Sequence, residues 1–178
     1  RLSLVGSEMC IRDSHPALKH AATTRREIGI RTVFNILGPL TNPAGASAQV
    51  IGVPDKSLLD KLALVLGHLG CRHALIVHGE DGIDEVTISG KTFICELKEG
   101  YISSYAVSPE DFGLNKASLD NLKGGDAKQN AELLLGILSG KKGPQQDVVL
   151  MNAAAVFMVG DRTKTFQQGV AMAREMID

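Results

Sequence analysis

No charge of one sign dominates this sequence. Nineteen Lys and Arg stand against twenty Asp and Glu, leaving a net charge of -1. That balance supplies no long-range pull toward nucleic acid or an anionic membrane, while leaving local anion sites open. A cysteine framework is also missing. Cys10, Cys71 and Cys95 form no C-x-x-C pair and no zinc-type spacing. An odd, scattered set of thiols fits a reducing compartment, so a cytoplasmic location is expected. Long apolar runs are absent too. The longest, over residues 148–159, is interrupted by Asn152 and is too short to cross a bilayer. Nor does the sequence carry G-x-S-x-G, H-E-x-x-H or G-x-G-x-x-G, an internal repeat or a low-complexity tract.

What is present is enough to build a core. The 178 residues are 44% hydrophobic and 22% charged, which places the chain among folded domains rather than disordered ones. That length allows one domain, or one domain and part of another. The first fourteen residues, RLSLVGSEMCIRDS, make a poor targeting signal, because Glu8, Arg12 and Asp13 interrupt any apolar region. Met9-Cys10-Ile11-Arg12-Asp13 instead reads as the translation of a sequencing-library adapter. Residues 1–14 are therefore expected to be a non-native tail, with the fold beginning at His15. The genomic sequence upstream of His15 tests this: native codons for the same residues would rule the adapter out.

Punctuation by Gly and Pro divides the rest. Residues 15–28 read as a helix ended by Gly29, and 31–37 as a short buried helix stopped at Gly38-Pro39. Residues 48–54 read as a strand and 55–70 as an amphipathic helix with Asp55 as its cap. Residues 72–79 read as a buried strand. Strand, helix and strand in that order imply a βαβ unit and a parallel pair. Residues 85–89, 91–97 and 101–106 alternate like short strands, with Gly90 and Gly100 as turns. Helices are expected over 126–139, 144–159 and 163–177. Met151, Met158, Met172 and Met176 are expected in the core. The fold class is α/β: a partial parallel-sheet domain with flanking helices and a small antiparallel excursion.

Three stretches could carry chemistry. HGEDGIDEVTISG, residues 78–90, follows a strand, and open α/β sheets bind ligands at the carboxyl ends of their strands. Asp84-Glu85 puts two hard oxygen donors there, suited to Mg²⁺ shared with substrate phosphates; the plain alternative is a solvated acidic turn. HPALKHAATTRREIG, residues 15–29, gathers His15, Lys19, His20, Arg25 and Arg26. Arg25 could fork onto a carboxylate or phosphate, or the helix could simply present a basic face to water. GPLTNPAG, residues 38–45, has no titratable group, so it could offer only a close, rigid wall or a helix stop.

Together these segments resemble anthranilate phosphoribosyltransferases. HPALKHAATTRREIGIRTVFNILGPLTNPAG, HGEDGIDEVT, GGDAKQNAELLLGILSGKKGPQQDVVLMNAAAVF and GVAMAREMID match that family's pattern in order over residues 15–178. The resemblance implies a small helical domain joined to a larger α/β domain. It implies transfer of phosphoribose from phosphoribosyl diphosphate to the amine of anthranilate, with Mg²⁺, by a homodimer formed through the small domain. It also implies that Arg25 meets the anthranilate carboxylate, His15 lines the anthranilate entry and Gly38 and Pro39 form the pocket wall. Asp84 and Glu85 would hold Mg²⁺. The family's G-T-G-G-D loop and K-H-G-N motif are not in this sequence. Residues 15–178 alone are accordingly expected to be inactive, and a phosphoribosylanthranilate fluorescence assay showing turnover would overturn that expectation. Two alternatives are a pyrimidine nucleoside phosphorylase of related fold and a non-enzymatic relative that binds nucleic acid. The segment 31–43 together with Arg25 disfavours the former, and the neutral charge balance disfavours the latter.

Overall fold

The computed structural model describes Leu40 and residues 45–177. The helices expected over 15–28 and 31–37 lie outside the described residues, as do His15, Arg25, Gly38 and Pro39.

From Ala48 onward the chain forms one compact unit. Ala48–Gly52 is the first strand, β1. Asp55 then caps a short 3-10 turn, Lys56–Leu58, by accepting the Ser57 amide at 2.8 Å. The helix proper, α1, is Leu59–His68. It buries Leu59, Leu62, Ala63 and Leu66, a set at three- and four-residue spacing. Gly70, at φ +81°, turns the chain out of that helix. Strand β2, His73–Gly79, lies parallel to β1, with Ala48 opposite His73 and Gly52 opposite Val77. This is the βαβ unit that the sequence implies.

β3, Thr92–Lys98, and β4, Tyr101–Val107, are antiparallel to their neighbours, and the sheet order is β1-β2-β3-β4. The antiparallel hairpin is thus a continuation of the same sheet. Its turn is Glu99-Gly100, both at positive φ, as the right-handed twist of a two-residue hairpin requires. Beyond it come 3-10 turns at Pro109–Phe112 and Leu119–Leu122. Three helices follow: α2, Ala127–Leu138; α3, Pro144–Val159; and α4, Phe166–Ile177. α2 opens with a capping box in which Asp126 and Gln129 satisfy each other's backbone amides.

The core lies between the sheet and α3–α4. It joins Leu75, Val77 and Ile94 from the sheet to Leu150, Met151 and Ala154 from α3 and Ala173 from α4. The two helices cross closely: a Cβ on Gly169 would sit 2.6 Å from the Ala154 Cβ. Phe112 and Phe166 stack at 4.4 Å between centroids and close one end of this core.

Two expectations are corrected. Residues 85–89 are not a strand. Val86 and Ile88 are fully buried, so the alternation is real, but their backbone groups bond to side chains and to a loop. Val86 meets Asn152, Thr87 meets the Thr92 hydroxyl, and the Ile88 carbonyl accepts from Ala117. Met176 is 67% exposed, because α4 buries only Gly169, Val170 and Ala173. Met151 is in the core as expected, while Met158 and Met172 are half-buried.

Candidate functional site

β1 and β2 are parallel, so their carboxyl ends lie side by side. The chain leaves β2 at Gly79 into the irregular segment 80–91, which carries Asp84 and Glu85 before it returns as β3. Both carboxylates are exposed. The acidic pair lies beside the strand ends that the sequence implies. Of the other site residues that sequence reasoning names, His15, Arg25, Gly38 and Pro39 lie outside the described residues.

An irregular loop holds its shape only if its backbone groups find partners. Here nearly every turn of the segment is tied. The Gly79 amide donates to the Ile83 carbonyl at 2.9 Å, and the Gly82 amide to the Gly79 carbonyl at 2.9 Å. The Glu80 amide donates to the Lys91 carbonyl, and the Glu80 carboxylate accepts from the Lys91 amide at 2.7 Å. The Val53 amide bonds the Val77 carbonyl at 3.0 Å, and His78 Nδ1 donates to the Val53 carbonyl at 2.8 Å, joining the two strand ends. Beside them Lys56 Nζ stands 3.2 Å over the Phe93 ring.

Two residues that sequence reasoning missed organise the loop from within. Asp81 accepts the Thr87 and Ser89 hydroxyls on one carboxylate oxygen and the Ile83 amide, at 3.2 Å, on the other. Burial pushes its pKa up, but the Ser89, Thr87 and Ile83 hydrogen bonds outweigh burial and hold the carboxyl below its ordinary value. The second is Gly52 at the end of β1. A Cβ there would lie 1.5 Å from the Asp84 carbonyl oxygen. Glycine in a strand marks a close approach of other backbone, and at Gly52 the approaching backbone is that of the acidic pair. A Gly after an apolar strand is the one sequence signal for it.

At the opposite end of β2, His73 is buried and its Nε2 meets Glu96 at 2.8 Å, while the Tyr105 hydroxyl donates to the same carboxylate at 2.9 Å. Burial, then the Glu96 charge, pushes the Tyr105 phenol well above its ordinary value, so it stays a donor. Arg72 bridges Asp161 at 2.6 Å and Glu99 at 3.5 Å. This network ties the start of β2 to the end of β3 and to the turn after α3, and it shares no residue with segment 80–91. A cavity of about 320 Å³ at the start of α3, lined by Asn121, Ile137, Lys141, Lys142 and Gln146 among others, also shares none.

A parallel βαβ unit whose strand ends carry an exposed acidic pair, clamped from below by glycine and Asp81, has the build of an α/β transferase domain. A family model described as "Glycosyl transferase family, a/b domain" matches residues 7–178, and the chain belongs to that family. An anthranilate phosphoribosyltransferase of Dehalococcoides mccartyi is 55% identical over 166 residues, covering 92% of this chain and 49% of that protein. The crystal structure of an anthranilate phosphoribosyltransferase from Thermus thermophilus is 45% identical, with a TM-score of 0.81 over 92% of this chain and 48% of that one. The Saccharomyces cerevisiae enzyme in complex with PRPP and Mg is 30% identical, with a TM-score of 0.80 over 92% of this chain and 46% of its own. The chain spans about half the length of the curated relatives it matches. No helix among the described residues is long and apolar enough to cross a membrane.

Proposed function

We propose that this chain supplies the acceptor wall and the metal-binding acidic pair of an anthranilate phosphoribosyltransferase. The enzyme would move phosphoribose from phosphoribosyl diphosphate to the amine of anthranilate in tryptophan biosynthesis, acting in the cytoplasm as a homodimer paired through a small helical domain. The observation that carries the reading is the fixed placement of Asp84 and Glu85 at the carboxyl ends of two parallel strands. The identity to enzymes of that name supports the anthranilate reading over the pyrimidine one.

The donor set suits Mg²⁺. Two exposed carboxylates stand there, and among the described residues no three His, Cys, Asp or Glu side chains gather to enclose a metal. Mg²⁺ favours such a site, since it keeps several waters and completes its shell with substrate phosphate oxygens. Bound there, it would offset the negative charge that grows on the departing diphosphate. Asp84 and Glu85 would hold it. Arg25 would orient anthranilate through its carboxylate, with His15 at the entry and Gly38-Pro39 as the wall, so that the amine faces the ribose carbon.

The pair is tested by Asp84→Asn with Glu85→Gln in a chain completed to the length of its relatives. Turnover should fall at least 100-fold, with the Mg²⁺ concentration for half-maximal rate raised at least tenfold. A double variant with wild-type turnover and Mg²⁺ dependence would sink the assignment.

A further inference from the structure

The acidic pair is followed by Val86, which is fully buried and belongs to no strand. A buried residue outside regular structure must still pair its N–H and C=O. Both are paired by one side chain. The Val86 amide donates to Asn152 Oδ1 at 3.0 Å, and Asn152 Nδ2 donates to the Val86 carbonyl at 3.0 Å. Nδ2 also donates to the Val148 carbonyl one turn back on α3, at 3.0 Å, which fixes the amide's orientation. Asn152 therefore does for Val86 what a neighbouring strand would do, offering one donor and one acceptor side by side. An amide side chain is suited to this, because it carries both functions in one plane.

We propose that Asn152 is the positioning residue of the acidic pair, setting where Asp84 and Glu85 present their carboxylates. The inference rests on the reading of that pair as the metal site. The pair stands between two anchors. On one side the Asp84 carbonyl lies against Gly52 of β1; on the other, Val86 is locked to α3 through Asn152. With the second anchor gone, the pair keeps Gly52 and the Gly79 and Asp81 bonds to Ile83 on one side but loses its tie to α3 on the other. Alanine cannot replace either hydrogen bond. Glutamine keeps both functions but carries them one methylene further from α3, so it cannot meet Val86 without displacing it. Metal-ligating oxygens must be held to within about 0.5 Å to bind well, which is why such a remote anchor matters.

The experiment measures Mn²⁺ affinity of the full 178-residue chain by electron paramagnetic resonance, with inorganic pyrophosphate present. Four proteins are compared: wild type, Asn152→Ala, Asp84→Asn with Glu85→Gln, and Phe112→Leu. The last is a core change at a side chain that makes none of the loop's hydrogen bonds, and it controls for stability alone. Asn152→Ala should weaken Mn²⁺ binding at least tenfold and speed hydrogen exchange at the Val86 amide at least tenfold. Phe112→Leu should leave both within twofold of wild type at matched folded fraction. Wild-type affinity in Asn152→Ala, or an equal loss in Phe112→Leu, would overturn the proposal while leaving the metal reading intact. If the Asp84/Glu85 variant binds like wild type, or wild type binds no Mn²⁺, the metal reading fails and takes the proposal with it. Should Asn152→Ala not fold, Asn152→Gln carries the test: at least threefold weaker binding is expected, and unchanged binding refutes it.

Discussion

Gly52→Ala is expected to destabilise the fold by about 3 kcal/mol, at the upper end for an inserted methyl, and to weaken metal binding at least tenfold. The added Cβ would sit 1.5 Å from the Asp84 carbonyl oxygen and 2.5 Å from its carbonyl carbon. Both are main-chain atoms, so no rotamer change relieves the overlap. Nor can either segment move cheaply. β1 is bonded along its length to β2, and the chain around Asp84 is tied by Gly79, Asp81 and Asn152. The strand must shift or the acidic pair must lift, and a misplacement of about 1 Å in a positioned site is already costly. For a chain of this size about 3 kcal/mol lowers the melting temperature by about 6–12 °C. Thermal unfolding followed by circular dichroism, with a Mn²⁺ titration on the folded variant, reads both effects. An alanine variant matching wild type in both would show that the two backbones do not meet.

Asp81→Ala is expected to cost about 2–3 kcal/mol, because it strips a charged acceptor from three donors at once. Thr87, fully buried, and Ser89 would lose their shared carboxylate oxygen, and the Ile83 amide would lose the other. The pH dependence separates charge from shape. Because the folded state holds the Asp81 carboxyl below its ordinary value of 3.8, the fold favours the ionised form. Its contribution is therefore complete above pH 3.8 and is lost as pH falls below 3.8 through the lowered folded value. Wild type should lose stability across that acid range more steeply than Asp81→Asn, which has no proton to gain there. Parallel acid profiles for the two proteins would remove the ionised carboxylate from the account. Urea unfolding at stepped pH makes the comparison.

The legible parts of this molecule are those fixed by neighbours in sequence. The strand at 73–79 is marked by an apolar run ending at Gly79, the helix after Asp126 by its Gly-Gly-Asp start, and both lie where expected. The position of Asp84 and Glu85 follows from the parallel βαβ order. The misread segment, 85–89, shows what periodicity reports. Alternation of Val86 and Ile88 registers which side chains face the core, and it is silent on whether a strand or a side chain completes the backbone bonds. Asp81 escapes a reading of the sequence because its role depends on hydroxyls six and eight residues on, brought in by a turn. Asn152 shows in the sequence only as a break in an apolar run. Its partner lies 66 residues away, and no local pattern announces such a pairing.

That separation bears on the order in which the molecule comes together. Helix α1 and the β3–β4 hairpin rest on contacts close in sequence, which form early because little chain entropy is lost in closing them. The Val86–Asn152 lock spans 66 residues and waits for α3 to be made and docked. During synthesis the acidic pair leaves the ribosome well before the residue that anchors it. A nascent chain halted before residue 152 would carry every strand of the described sheet and both carboxylates, yet still lack the side chain that completes the Val86 backbone bonds. Completion of the loop is thereby coupled to a long-range step of folding.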